Sequence, residues 1–169
     1  YSQVTQRFDS VTPDMEDPKE LKKFLELIRS LSAKGAILAY HDRSDGGLAA
    51  ALCEMMFASH VGVEIVADAL VSKDRTLNQA LFNEELGAVI QVARGRAAEV
   101  ERDFEAAGMG WSLKYLGNLT QDDHLNIYLE GKCVLSEDRV DLQKAWNEVS
   151  WQIARMRDNP ECADSEYAL

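Results

Sequence analysis

Between positions 41 and 48 the sequence reads His-Asp-Arg-Ser-Asp-Gly-Gly-Leu, a carboxylate and a hydroxyl two residues apart, followed by a glycine pair. Asp42 offers a hard oxygen of the kind Mg2+ takes. That ion accepts one or two carboxylates and leaves its remaining positions to phosphates and water. Ser44 can donate to a phosphate oxygen. Gly46 and Gly47 let backbone approach a ligand closely. A helix beginning at the glycines would aim its free N–H groups and partial positive charge into this turn, which favours an anion. The same residues support a plainer reading, in which Asp45 or Ser44 caps the helix and the glycines shape a tight turn; for Asp45 the cap is preferred. Neither a Walker loop nor a dinucleotide fingerprint is present, since both glycine spacings are missing.

Other reactive side chains carry less. His41 adjoins the turn, where it could orient Asp42, whereas His60 and His124 have no metal-ligand spacing. Cys53, Cys133 and Cys162 are an odd number without a CxxC pair, which fits a reducing compartment and neither a disulfide framework nor a zinc knuckle. Cys53 belongs to an apolar segment and reads as core. Glu84-Glu85 before Gly87 could position substrate or metal, but a solvated turn is the preferred reading. Asn118-Leu119-Thr120 matches a glycosylation acceptor that nothing else supports.

The elements around the turn follow from periodicity. Asp17-Pro18-Lys19-Glu20 is a helix start with a cap, a proline at the first position and a carboxylate to reach back. Leu21, Phe24, Leu25, Ile28 and Leu31 continue it as one face, and Gly35 stops it. Ile37 to His41 reads as a buried strand. Gly46 to Ser59, with Glu54 its single charge, is a helix packed on more than one face. Strands are expected at 61–66, 88–92, 112–119 and 125–129, and a hairpin across Glu130-Gly131 leads to a further strand at 132–135. Helices are expected at 75–82, 96–107 and 138–157. The last carries its main stripe on Leu142, Ala145, Trp146, Val149, Ile153 and Met156, and a second apolar line through Val140 and Trp151 that fits either core or an external contact. Consecutive late strands among mixed elements indicate an α+β fold, a mixed β-sheet between helical layers.

The 169 residues suit one domain, and a chain of this length can bury a core of its own. A net charge of −11 excludes a general nucleic-acid or anionic-membrane surface, though not a phosphate ligand held through a cation. No apolar stretch suggests a membrane span and no signal-peptide pattern opens the chain. Tyr1 at the start and the polar stretch from Asp158 to Leu169 read as a piece of something longer.

His41 to Leu48, HDRSDGGL, closely resembles the motif of the phosphoribosylformylglycinamidine synthase family, the purine-pathway FGAM synthetases. ALFNEELGAVIQV at 80–92 and WQIARMRDNPECA at 151–163 resemble two further stretches of the long, single-chain bacterial form, in the same order. The resemblance implies the C-terminal aminoimidazole-ribonucleotide (AIR)-synthetase-like domain of that enzyme's second half. Residues 1–16 would be a lead-in from a preceding domain, 17–158 the domain, and 159–169 the start of a linker toward a glutaminase domain. It implies a cytoplasmic, ATP- and Mg2+-dependent ligase that makes formylglycinamidine ribonucleotide with glutamine-derived ammonia. By motif, Asp42 matches a metal ligand and Ser44 an ATP contact, no catalytic residue is assigned, and the remaining metal ligands belong to a preceding domain. Whether Asp42 serves the catalytic or an auxiliary nucleotide site stays open. Two alternatives remain: a structural inter-domain module without a ligand, and a homologous ATP-using synthetase domain.

Overall fold

The structure is a computed structural model that describes residues 2–6, 13–15 and 17–168. Much of the expected lead-in lies outside the described residues; within it, Ser2–Thr5 forms one helical turn, α1. Helix α2, Pro18–Ala33, begins as its residue types dictate. The Asp17 side chain accepts from the Lys19 N–H at 2.9 Å, Pro18 occupies the first turn, and Gly35 follows the end with φ +64°.

Strand β1, Ile37–Asp42, pairs antiparallel with β3, Ala88–Val92, as a two-stranded sheet. The sequence makes β1 a buried strand, yet its burial alternates, with Leu38 59% and Tyr40 43% exposed. An antiparallel ribbon can leave one face to solvent, which an apolar run does not disclose. Helix α3, Gly47–Ser59, is buried or half-buried through Phe57, as its all-round apolar character requires. A short helix α4, Leu77–Phe82, starts from a reciprocal Thr76–Gln79 capping box. Helix α5, Ala97–Ala106, brings Val100 and Phe104 against Leu27 and Leu31 of α2 to form a core with Ala36 and Met109.

Residues divide into two compact units, 1–52 with 69–116, and 53–68 with 117–169. The first contains the β1–β3 ribbon and the core just described. The second contains a four-stranded mixed sheet of β2 (Gly62–Val66), β4 (Gly117–Thr120), β5 (His124–Leu129) and β6 (Lys132–Asp138), in the order β4-β2-β5-β6. β2 and β5 run parallel and the other pairs antiparallel. Glu130 and Gly131, with φ +50° and +72°, make the expected hairpin turn; two successive left-handed residues match the strand twist. β4 starts five residues later than the alternation indicates. Ser112 instead turns back, its N–H and its hydroxyl both donating to the Met109 carbonyl.

Helix α6, Arg139–Arg157, is capped by Asp138 and leaves much of the expected main stripe exposed. Trp146, Val149, Ile153 and Met156 of the main stripe are 50–81% exposed. From that stripe Trp146 still meets α3, its ring 5.8 Å from that of Phe57 and its Nε1 donating to Glu54 at 3.1 Å, and the second line meets the next helix. Trp151 stacks on Tyr167 at 4.2 Å between ring centroids and donates to Asp164, while the Tyr167 hydroxyl donates to the Lys144 carbonyl. Those partners lie on α7, Pro160–Tyr167, a helix with an Asn159 cap where the sequence indicates a linker. The architecture is α+β with a mixed sheet. No helix among the described residues is long and apolar enough to cross a membrane.

Candidate functional site: the turn between β1 and α3

Asp42 is the last residue of β1 and Gly47 the first of α3, so the entire motif sits at a strand-to-helix junction. Burial alternates along it: Asp42 exposed, Arg43 half-buried, Ser44 exposed. Among the described residues neither the Asp42 carboxylate nor the Ser44 hydroxyl has a hydrogen-bond or ion-pair partner. The contact His41 makes with its neighbour is to the main chain. Its Nδ1 lies 2.7 Å from the Asp42 carbonyl, a geometry in which Nδ1 carries the proton and donates.

What fixes the turn is the segment from Leu81 to Gly87, forty residues downstream. Arg43 donates three times to it: main-chain N–H to the Gly87 carbonyl at 2.8 Å, Nε to the Glu85 carbonyl at 2.6 Å, and Nη2 to the Leu86 carbonyl at 3.2 Å. Burial, with the charge of Arg75 behind it, lowers the Arg43 pKa, and Glu85 works against this; an arginine so placed still holds its charge at neutral pH. Gly46 and Gly47 are both left-handed, with φ +79° and +68°. A Cβ on Gly47 would lie 2.7–2.8 Å from main-chain atoms of Leu81, Phe82 and Asn83. The close approach inferred from the glycines is therefore to the chain's own backbone.

The helix cap also differs from expectation. Gly46 precedes α3, and its N–H donates to Glu84 Oε1 at 3.2 Å, while Asp45 is exposed. Glu84 places its negative charge at the positive end of the helix, where the dipole favours it. The reading of Glu84-Glu85 as a merely solvated turn thus fails: Asn83 Oδ1 orders the segment by accepting from the Glu85 N–H at 2.6 Å, and Glu84 reaches the helix. Sequence spacing carries no signal for this, because the partners are forty residues apart.

Tyr40 is a second residue that spacing does not single out. It lies two positions before Asp42 on the same strand; partial burial raises its pKa, and the Asp42 charge adds to the rise. Two surface concavities, along α5 and α2, include neither Asp42 nor Ser44.

An Mg2+–nucleotide fits these residues as a partial site. Asp42 is an outward, unpaired hard-oxygen donor and Ser44 an outward hydroxyl, the two kinds of group such a ligand needs from one side. No group of three His, Cys, Asp or Glu residues that could hold a metal occurs among the described residues. Asp42 would be the carboxylate ligand that the turn contributes.

The turn is a strand-to-helix junction in an α+β fold that contains a mixed sheet. The family model described as AIR synthase related protein, C-terminal domain, matches residues 1–130, and the chain belongs to that family. Helices α6 and α7 lie beyond the matched residues. Among solved structures the chain is similar to Thermotoga maritima PurL complexed with ATP, at 16% identity and a TM-score of 0.64, covering 75% of this chain and 22% of that one. For T. maritima PurL complexed with FGAR the values are 17% identity, TM-score 0.66, and 79% and 23% coverage. The HypE–HypF complex matches at 19% identity and TM-score 0.60, over 81% of this chain and 46% of that one. These likenesses show the shared fold. The chain spans less than a quarter of the length of the two PurL chains.

Proposed function

We propose that this chain supplies one side of an Mg2+–nucleotide site in an ATP-dependent synthetase, and that the enzyme is phosphoribosylformylglycinamidine synthase in its long, single-chain form. The observation that carries the reading is the exposed pair Asp42 and Ser44, without a hydrogen-bond or ion-pair partner among the described residues and held on a turn that Arg43 ties to the Glu85 and Leu86 carbonyls. Two relatives of the same fold are PurL complexes, one with ATP and one with FGAR, which supports the substrate class. ATP, when bound, activates the amide oxygen of the ribonucleotide for displacement by ammonia. This chain's part is to bind and orient: Asp42 would hold the metal, Ser44 would donate to a phosphate oxygen, and a preceding domain would complete the ligand set. We assign residues 17–158 to the AIR-synthetase-like domain and 159–169 to the start of the connection toward a glutaminase that supplies the ammonia, in a cytoplasmic enzyme.

The test is Asp42→Asn in the complete protein. The substitution removes charge and keeps shape, so folding should be preserved and retention of Mg2+–ADP should fall at least tenfold. Unchanged nucleotide binding would favour the structural alternative, in which the turn shapes an inter-domain surface without a ligand.

A further inference from the structure

Arg43 stands between the two candidate ligand residues and is the one of the three that turns inward. Its three donors meet three consecutive carbonyls, those of Glu85, Leu86 and Gly87. Burial alternates exposed, half-buried, exposed across 42–44, so pinning the middle residue restrains both neighbours. Asp42 and Ser44 are exposed and lack partners of their own among the described residues, so neither side chain contributes to holding the turn. A guanidinium spans two successive carbonyls as a planar fork, whereas an ammonium is a point donor on a flexible stem. The guanidinium also lies against Gly87, where an added Cβ would be 3.3 Å from Arg43 Nη2.

We propose that Arg43 is the positioning residue of this site, its guanidinium fixing the outward pose of Asp42 and Ser44 through the Glu85 and Leu86 carbonyls. The inference rests on the reading of Asp42 as an Mg2+–nucleotide contact and adds to it the residue through which that contact is aimed. It assigns Arg43 no contact with the nucleotide.

The experiment compares Arg43→Lys, Gly87→Ala and Asp42→Asn in the complete protein, with Mg2+–ADP as the probe. Three quantities are read: Kd for Mg2+–ADP, the electron paramagnetic resonance spectrum of bound Mn2+–ADP, and the nucleotide-free melting transition. Arg43→Lys keeps the charge and loses the fork, so Kd should rise about tenfold. The Mn2+ spectrum should report an altered metal environment, and the nucleotide-free melting temperature should stay within about 2 °C. Gly87→Ala disturbs the guanidinium from the other side and should move Kd and the spectrum in the same direction, less far. Wild-type Kd and spectrum in Arg43→Lys, alongside weakened binding in Asp42→Asn, would overturn the positioning role while leaving the nucleotide reading standing. Wild-type binding in Asp42→Asn would overturn both. Should Arg43→Lys fail to fold, Gly87→Ala decides, and an unchanged Kd with an unchanged Mn2+ spectrum overturns the proposal.

Discussion

Two carboxylates lie near the start of α3, and the one that reaches the helix is remote in sequence: Glu84 accepts from the Gly46 N–H, while Asp45 is exposed. Glu84→Ala should therefore cost about 0.5–1 kcal/mol, the lower part of the range for an exposed cap. Asp45→Ala should stay within about 0.5 kcal/mol of the parent. Urea denaturation of both variants reads the difference, and a larger loss at Asp45 would reverse the assignment. The motif HDRSDGGL was legible in the sequence as a place where chemistry could occur, because its carboxylate, hydroxyl and glycines are adjacent. What holds it was not, because Arg43 and Gly47 meet main-chain atoms that no residue type announces. Cys53 gives a second residue-scale expectation. Burial, with help from Glu54, pushes its thiol up to about 11, while Cys133 and Cys162 are exposed. Since the thiolate is the reactive form, a thiol reagent at pH 8 should modify the two exposed cysteines rapidly and Cys53 only on unfolding. Rapid reaction of all three in the folded chain would contradict the burial.

Helix α6 shows how periodicity can find an element and leave open how its two apolar lines are used. The stripe through Trp146, Val149, Ile153 and Met156 has the spacing of a core face, but α7 lies along the line through Trp151, and spacing alone does not choose between two apolar lines. Val149→Gln should leave stability within about 0.5 kcal/mol. Trp151→Ala removes the stack on Tyr167 and the contact beneath Arg155, and should cost about 1–2 kcal/mol by thermal or chemical denaturation. Where β5 meets the start of α6, Arg139 binds Asp123 through two nitrogens, and this holds the Asp123 carboxyl below its ordinary value of 3.8. A depressed carboxylate stabilises fully above that value and loses its contribution as pH falls through the folded value. His124 runs the other way. Its Nδ1–H donates to the Asp122 carbonyl and Asp138 faces it, so its pKa lies above 6.5. Its contribution is complete below pH 6.5 and fades as pH rises through the folded value. In a plot of denaturation midpoint against pH, Asp123→Asn should flatten the acid limb and His124→Gln the neutral one. Asparagine also tolerates the left-handed backbone at position 123, where φ is +57°, so the first comparison isolates the charge. Parallel curves for the variant and the parent would remove either assignment.

At the scale of the molecule, the fold class was legible because the order of helices and strands survives in the pattern of apolar residues. The division into two compact units was not, since each is assembled from two separated stretches of chain. The proposed site is incomplete at this scale too. One carboxylate is a poor Mg2+ site, the net charge of −11 opposes a free nucleotide, and an exposed helix end offers only about 0.3–1 kcal/mol. The isolated chain should therefore bind Mg2+–ADP no better than about millimolar, which already needs about 4 kcal/mol. Calorimetric titration is the measurement, and micromolar binding abolished by Asp42→Asn would mean that the chain holds a complete site. The lock between the two halves of the turn has one more consequence. Arg43 and Gly47 are met by carbonyls and backbone carbons, so at these two contacts the downstream segment takes part through its main chain. Substitutions at Glu85 and Leu86 should then be widely tolerated in a saturation scan, while positions 43 and 47 admit almost none. Transplanting the turn into another scaffold would require copying the path of residues 81–87 with Asn83, Glu84 and Gly87 kept, but little of the identity of Glu85 and Leu86.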